Sequence, residues 1–206
     1  MTDPVAPVAL ALAGAAGYFA GTFPSASVAS RVASGGAVDL RTAGSGNPGA
    51  LNAAQQLGTG WGLAVLAVDA AKGFAGAVAG RRLAGDAGAY LAATTAIAGH
   101  IAPVWSRFRG GKGVATSAGA CLAVFPAYFP LDAAVAAAGA AGTRNPETAT
   151  RISSLVWTLS AVVWWRRRWP NAWGPRPTAG LPAFAAAGSA MILSKFARSR
   201  RAGAGR

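Results

Sequence analysis

The chain alternates between long apolar runs and short polar segments that are rich in glycine. The apolar runs cover residues 5–24, 57–80, 87–101, 114–129, 131–142, 152–165 and 180–196. A helix that spans a membrane needs about 17 to 25 apolar residues, so several of these runs are near the short limit. Because backbone groups inside a bilayer must bond within their own segment, the pattern predicts an all-α, polytopic membrane bundle with about seven transmembrane helices.

Composition agrees with a membrane protein. Hydrophobic residues make up 53% of the chain and charged residues only 12%, about half the charged share of an ordinary soluble protein. The net charge is +13, but the basic residues lie in short clusters between apolar runs. Such clusters are typical of contact with anionic membrane lipids, so we expect lipids and no nucleic acid among the partners.

The chain is expected to be one domain, residues 1–206, that keeps its first apolar run as a helix. That run lacks the basic segment which precedes a cleaved secretory signal. The basic tail, residues 198–206, is predicted to be disordered. The chain has one cysteine, Cys121, and one histidine, so neither a disulfide framework nor a thiolate metal site is expected. We predict no metal and no cofactor.

Seven spans would put the two termini on opposite sides of the membrane. With the N-terminus outside, the outer loops hold six basic residues, namely Arg81, Arg82, Arg166, Arg167, Arg168 and Arg176. Twice as many lie on the inner side, which is the bias of the positive-inside rule. The sequence therefore predicts a multi-pass protein of the inner (plasma) membrane, with its N-terminus outside and its C-terminus in the cytoplasm.

Two polar segments, Asp39–Asn52 and Gly99–Thr116, interrupt the apolar runs and combine glycines with Arg and Lys. Free backbone amides beside fixed cations form concavities that suit phosphate oxygens. The second segment is not a nucleotide-binding P-loop, because Gly113 and not Ser or Thr follows Lys112. The segments indicate a membrane enzyme with phosphorylated substrates, and both are expected on the cytoplasmic face.

These residues carry a resemblance to a known family. The matching motifs are Tyr18–Gly21 with Pro24, Asp39–Asn52, Asp69 with Lys72 and Gly73, Gly99 with His100, Gly110–Thr116, and more weakly Arg151 with Ser153–Leu155. In this order they resemble the bacterial acyl-phosphate:glycerol-3-phosphate acyltransferases. The resemblance covers roughly residues 17 to 160. It implies acyl phosphate and glycerol 3-phosphate as substrates, and lysophosphatidic acid as the product.

Acyl transfer from a mixed anhydride needs orientation and charge stabilisation more than a strong nucleophile. The candidates for direct participation are His100, Ser45 and Lys112. The candidates for substrate and phosphate binding are Arg41, Ser45, Gly46, Asn47, Asn52, Arg109, Gly110, Gly111, Lys112, Gly113 and Ser154. Another acyltransferase class has Asp five residues after its His, whereas Trp105 stands there in this chain.

Several candidates also have a structural interpretation. Asp69 and Lys72 are three residues apart, so they can form an ion pair that only stabilises a span. His100 can serve as a hydrogen-bonding residue at the membrane interface. Ser45, Asn47 and Asn52 can act as turn and capping residues.

The sequence departs from the family pattern at several positions. Gln55 stands where the family has a phosphate-binding Arg, Leu51 replaces Thr and Trp157 replaces Ser. The family's C-terminal His-Arg-x-Asn-Ile-x-Arg-Leu segment is missing, and Arg198, Arg200 and Arg201 are candidates to supply the lost charge. Two alternatives stay open: a divergent homologue that is non-catalytic or has another acceptor, and a small transporter of anionic solutes.

Overall fold

The computed structural model describes residues 6–143 and 145–204. In this part of the chain all regular secondary structure is helical, as the sequence predicts. The helices are α1 (Pro7–Gly21), α2 (Ser25–Ser34), α3 (Ala50–Leu57), α4 (Thr59–Ile101), α5 (Val114–Val124), α6 (Phe129–Thr143), α7 (Pro146–Arg167) and α8 (Gly180–Ala204), with a 3-10 turn at Val104–Ser106. Length and composition alone make Pro7–Ser34, Thr59–Ser106 and Gly180–Arg200 able to cross a membrane.

α4 is a helical hairpin and not one long helix. Its backbone breaks at Ala84 and Gly85, and Gly85 has a φ of 61° and a ψ of −152°. The two arms, residues 59–83 and 86–101, lie so close that a Cβ atom on Gly80 would be 2.4 Å from the Gly88 carbonyl oxygen. With the arms counted separately, the described part of the chain supplies one helical segment for each predicted apolar run.

The run 114–129 was predicted to be one helix, but α5 ends at Val124. A turn at residues 125–128 contains Pro126, which has no backbone N–H to continue a helix. With 11 residues, α5 is too short to span a bilayer at about 1.5 Å per residue.

Small residues bring α1 and α5 against the hairpin. A Cβ atom on Gly17 or Gly21 of α1 would lie 2.2 Å from the Ala92 carbonyl oxygen or 2.0 Å from that of Ala96. On the other side, a Cβ atom on Gly119 would lie 1.8 Å from the Ala70 carbonyl oxygen. Such backbone contacts are typical of helices that pack in lipid, where small residues allow close approach.

A second group of helices, α5 to α8, packs through aromatic side chains. Trp157 of α7 meets Phe184 of α8 edge to face, with ring centroids 5.0 Å apart, and Phe125 stacks on Tyr128. Trp157 is only 5% exposed. Trp157 therefore fills the core between α7 and α8.

Two short helices lie at one end of the bundle. α2 buries Ala26 and Ala29 against Leu40 and Val65, while Val32 is 67% exposed. At the same end, α8 continues to Ala204, which differs from the expected disordered tail because Ala and Arg favour helix. Gly205 and Arg206 lie outside the described residues. α1 runs parallel to the second arm of α4, so its first residue lies at the opposite end.

Candidate functional site

Asn52 organises the first signature segment. Its side-chain amide donates to the carbonyl oxygens of Leu40 and Ala43 at 3.0 and 3.1 Å, and its Oδ1 accepts from the Ser45 backbone N–H at 3.1 Å. The residue is 2% exposed. The predicted binding residue Asn52 therefore shapes the loop that carries Ser45, and it does not face the cavity described below.

Arg41 is held at the rim of that loop by Asp39. Its Nε lies 3.0 Å from Asp39 Oδ1 and its second guanidinium nitrogen 3.1 Å from Oδ2. These hydrogen bonds, together with the one from the Arg41 backbone, lower the pKa of the Asp39 carboxyl. The fork geometry fixes the direction of the guanidinium, which leaves its remaining donors free for a ligand.

The second signature segment folds back over the end of α4. The backbone N–H groups of Gly110 and Gly111 donate to the carbonyl oxygens of Ile101 and His100, at 3.0 and 3.2 Å. A Cβ atom on Gly111 would lie 2.2 Å from His100 Nε2. Glycine is needed at position 111 because the loop passes directly over the imidazole. Gly113, with a φ of 88°, is the N-cap residue of α5, and a Cβ atom on it would face Ile97 and Ile101 instead of the cavity.

Four buried side chains lie beneath these segments: Ser25, Asp69, Lys72 and His100. We call them the buried network. Lys72 Nζ lies 2.8 Å from Asp69 Oδ1, and the Ser25 hydroxyl donates to the same oxygen at 2.5 Å. Lys72 also donates to the Phe23 carbonyl oxygen at 3.0 Å. Exposure is 8% for Lys72 and 1% for Asp69. Asp69 and Lys72 thus form the ion pair that one interpretation of the sequence predicts.

His100 lies between that ion pair and open space. Its Nδ1 is 3.5 Å from Asp69 Oδ1, and it has no hydrogen bond within the described residues. Its Nε2 faces Gly111. Catalytic hydrogen bonds are often long without substrate and shorten in the complex. His100 also lines the inner part of the cavity described below, and with a carboxylate behind its Nδ1 it can serve as a general base.

The two signature segments enclose one cavity with two parts. The inner part, about 130 Å³, ends at the buried network and is lined by Thr22, Ser25, Lys72, His100, Arg109 and Gly111 among others. The outer part, about 760 Å³, is lined by Arg41, Ser45, Gly46, Asn47, Arg109, Gly110, Lys112, Lys195 and Ser199 among others. Both parts share Arg41, Arg109 and Gly110, so the inner part opens into the outer one.

Five cations face the outer part and form what we call the cationic rim: Arg41, Arg107, Arg109, Lys112 and Lys195. Lys112 Nζ lies 4.1 Å from the centre of the Phe196 ring. Partial burial lowers the pKa of the Lys112 ammonium, and Glu147 opposes that shift. Asp39 is the one acidic side chain on the described wall, and Arg41 pairs with it. The cavity therefore suits anionic ligands.

The structure does not bring every predicted residue to this cavity. Ser154 lines a separate, mostly apolar cavity of about 310 Å³, together with Val114 and Asp132. Gln55 is exposed on α3 and lines none of the three cavities. Arg200 lies 3.4 Å from Glu147 Oε1, and the Arg201 side chain lies outside the described residues.

Sequence reasoning missed Ser25, Thr22 and Lys195. Ser25 follows Pro24 and begins α2, so its position indicates only a helix start. The signal that could have found it is Asp69, because a carboxylate in a span requires more than one polar partner. Trp105 was noted only for what it excludes, yet its Nε1 donates to the Thr22 hydroxyl at 3.1 Å and ties the second segment to α1.

The chain is similar to proteins described as glycerol-3-phosphate acyltransferases. The family model with that description matches residues 11–201. A relative of that name from Anaeromyxobacter dehalogenans is 38% identical over 92% of this chain and 90% of its own length. "Glycerol-3-phosphate acyltransferase 1" from Moorella thermoacetica is 41% identical over 62% of this chain, and the match spans 65% of that relative.

A similar fold occurs in the crystal structure of PlsY (YgiH), an integral membrane glycerol 3-phosphate acyltransferase, in its glycerol 3-phosphate form. The TM-score is 0.74 at 26% identity, and the match covers 92% of this chain and 90% of that chain. The lysophosphatidic acid form of PlsY gives the same TM-score at 24% identity, which bears on the fold alone.

Proposed function

The chain belongs to the glycerol-3-phosphate acyltransferase family, and we propose that it transfers a fatty acyl group from acyl phosphate to the 1-hydroxyl of glycerol 3-phosphate. Acyl transfer to glycerol 3-phosphate, which gives lysophosphatidic acid, is the activity of this family. The acyl donor and the residue roles below rest on the chemistry of the cavity.

The observation that carries the proposal is a rim of five cations around a cavity whose inner part ends at His100. Both substrates bring a phosphate group, and cations that face one cavity repel each other until anions bind there. We assign Lys112 to the acyl phosphate. Arg41 and Arg109 would bind the phosphate of glycerol 3-phosphate, which leaves its glycerol end directed to the inner part.

In the proposed reaction, the 1-hydroxyl oxygen of glycerol 3-phosphate attacks the acyl carbon. The bond between that carbon and the phosphate oxygen breaks, and inorganic phosphate leaves with the electron pair. Neutral His100 takes the hydroxyl proton on Nε2, while Asp69 stabilises the imidazolium that forms. A positioned general base of this kind contributes about 10² to 10⁴ in rate. Each step uses side chains and the anhydride itself, without a metal or a nucleotide.

The remaining candidates support this chemistry in different ways. Ser45, Gly46 and Asn47 lie on the wall of the outer part and can donate to phosphate oxygens. Lys72 lines the inner part, where its ammonium can stabilise the oxyanion that develops on the acyl group. Ser154 remains a predicted binding residue without a contact to this cavity.

The test is acyl transfer by the purified protein in detergent, with palmitoyl phosphate and radiolabelled glycerol 3-phosphate. We expect labelled lysophosphatidic acid and an equal amount of inorganic phosphate. Palmitoyl-coenzyme A should not replace palmitoyl phosphate. Transfer from the thioester alone would refute the assigned donor, and no transfer from either donor would favour the non-catalytic alternative.

We further propose that the end of the bundle with the cavity faces the cytoplasm, in the inner membrane, with the N-terminus outside. Its support is the basic bias, since the rim and the C-terminal part of α8 lie at this end. Cysteines placed at Thr42 and Ser106 should resist a membrane-impermeant thiol reagent in intact cells and react after lysis. Cys121 is buried and gives little background. Rapid labelling in intact cells would reverse the orientation.

A further inference from the structure

Lys195 is a cation on the cavity wall that neither signature segment supplies. It lies on α8, beyond the part of the chain that carries the recognised motifs, and it is half-buried. Ser199 lies one helical turn later and lines the same outer part. Within the described residues, Lys195 forms no ion pair with an acidic side chain. Its charge is therefore available to a ligand.

We propose that Lys195 is a phosphate-binding residue of this chain, which supplies a positive charge to the outer part of the cavity from α8. Ser199 adds a hydroxyl donor on the same helical face, because residues four apart on a helix are neighbours. The inference rests on the proposed function, and it adds one substrate-binding side chain to the same cavity.

The arginines that follow Lys195 are less suited to this role. Arg200 lies 3.4 Å from Glu147 Oε1, and the same oxygen accepts from Arg151 at 2.7 Å. Arg198 is exposed and is absent from the described cavity wall. The sequence made Arg198 and Arg200 candidates to supply a phosphate-binding charge, and we assign that role to Lys195 instead.

The packing of α8 also places Lys195 on the same cavity wall as Lys112. Phe196, the next residue, is 5% exposed, and its ring lies 4.1 Å from Lys112 Nζ. The ring fixes α8 against the second signature segment, so the two ammonium groups approach the cavity from different elements. A phosphate dianion between them would gain two charge-assisted contacts and relieve their mutual repulsion.

Steady-state kinetics of the full-length protein in detergent, at fixed ionic strength, tests this role. Lys195→Met removes the charge and keeps the length of the side chain. Its KM for the substrate whose phosphate Lys195 binds should rise about tenfold to a hundredfold, the usual effect of one charge-assisted hydrogen bond. kcat should change much less. Varying acyl phosphate and glycerol 3-phosphate separately identifies which phosphate is bound.

Two matched variants make the result specific. Lys195→Arg keeps the charge and should restore most of the lost affinity. Arg198→Gln removes a charge from the same helix outside the cavity, and its KM values should stay within about twofold of the wild type. If Lys195→Met behaves like Arg198→Gln towards both substrates, the inference is wrong.

A binding measurement separates this inference from the proposed function. Calorimetric titration with glycerol 3-phosphate and with inorganic phosphate needs no turnover. Weaker binding of either ligand by Lys195→Met, in a protein that transfers no acyl group from acyl phosphate, would support Lys195 and refute the assigned donor. Full activity with unchanged binding in Lys195→Met would do the reverse. Equal unfolding temperatures for the variants exclude misfolding as the cause.

Discussion

The buried network and the cationic rim hold charges in opposite ways. In the network, Asp69 and Lys72 are each less than a tenth exposed, and each contacts a named partner within 3.0 Å. In the rim, Lys112 and Lys195 are half-buried and face an open cavity. Charges with fixed partners in a low-dielectric interior determine where the reacting groups lie. Charges that face a cavity determine how strongly anions bind there.

This difference separates the expected effects of substitution. Removal of one network charge leaves its partner uncompensated in the membrane interior, which affects folding as well as the reaction. Removal of one rim charge weakens ligand binding, and dissolved salt reduces the effect because the rim is open to water. The following variants test that separation, beginning with the largest effect.

Asp69→Asn should have the largest effect, because it leaves the Lys72 ammonium buried without its counter-charge. Loss of one partner from a buried ion pair costs about 3 to 5 kcal/mol, and His100 would lose the carboxylate 3.5 Å from its Nδ1. Thermal unfolding in detergent should shift downwards and acyl transfer should be abolished.

Asp86→Asn is the matched control at the opposite end of the bundle. Asp86 pairs with Arg81 at 3.3 Å, and both side chains are over a third exposed, so the same change should cost at most about 1 kcal/mol. Equal losses of stability in the two variants would contradict the assignment of a special cost to the buried network. Asp69→Asn combined with Lys72→Met should recover part of the stability but not the activity.

His100→Gln should come next, with an effect on the reaction and little on the fold. Glutamine keeps polar atoms near Asp69 but cannot accept the hydroxyl proton, so kcat should fall about 10² to 10⁴ fold at nearly constant KM. Assays over a range of pH should show that the variant lacks the fall of kcat at low pH that protonation of His100 causes in the wild type. A rise of KM alone would mean that His100 binds substrate and does not act as a base.

Lys112→Ala should have an intermediate effect, confined to ligand binding and charge stabilisation. Loss of a charge-assisted contact should lower kcat/KM about tenfold to a hundredfold, without a change in unfolding temperature. The gap between wild type and variant should narrow as the salt concentration increases.

Arg151→Ala serves as the control for Lys112→Ala, since Arg151 pairs with Glu147 at 2.7 Å at the same end of the bundle and lines neither part of the cavity. Its kcat/KM should match the wild type. An equal loss in the two variants would show that the bulk charge of this face, and not the rim, controls the rate.

The two regions also differ in how well the sequence predicts them. The i, i+3 spacing of Asp69 and Lys72 within one predicted membrane span was enough to predict their ion pair. The contact of Asp69 with Ser25 joins residues 44 positions apart, and no local pattern encodes it. In the rim, glycine-flanked Lys112 was evident from its surroundings. Lys195 was missed because the sequence does not distinguish it from the other basic residues near the end of the chain. Only helix packing determines which of them lines the cavity.

The helices lie close to where the hydrophobic pattern predicts them. The errors of prediction concern which neighbouring groups a polar side chain contacts. Asn52 is of a residue type that can bind phosphate, but its side-chain amide donates to the carbonyl oxygens of Leu40 and Ala43 instead. Ser154 belongs to a weaker motif on α7, and the packing of α7 directs it to a different cavity. Composition and spacing identify such residues, whereas the tertiary fold decides what they contact.

Gln55→Arg should have the smallest effect, and it tests whether the cationic rim extends to α3. The motif resemblance implies a phosphate-binding Arg at this position, so the sequence alone predicts a lost contact and a gain when an Arg is introduced. In the structure, Gln55 is exposed on α3 and outside the cavity, and an added surface charge contributes about 0 to 1 kcal/mol. KM for glycerol 3-phosphate should therefore fall by less than about fivefold, whereas Lys195→Met raises a KM at least tenfold. If Gln55→Arg lowered that KM tenfold, α3 would belong to the phosphate site and the rim of five cations would be incomplete.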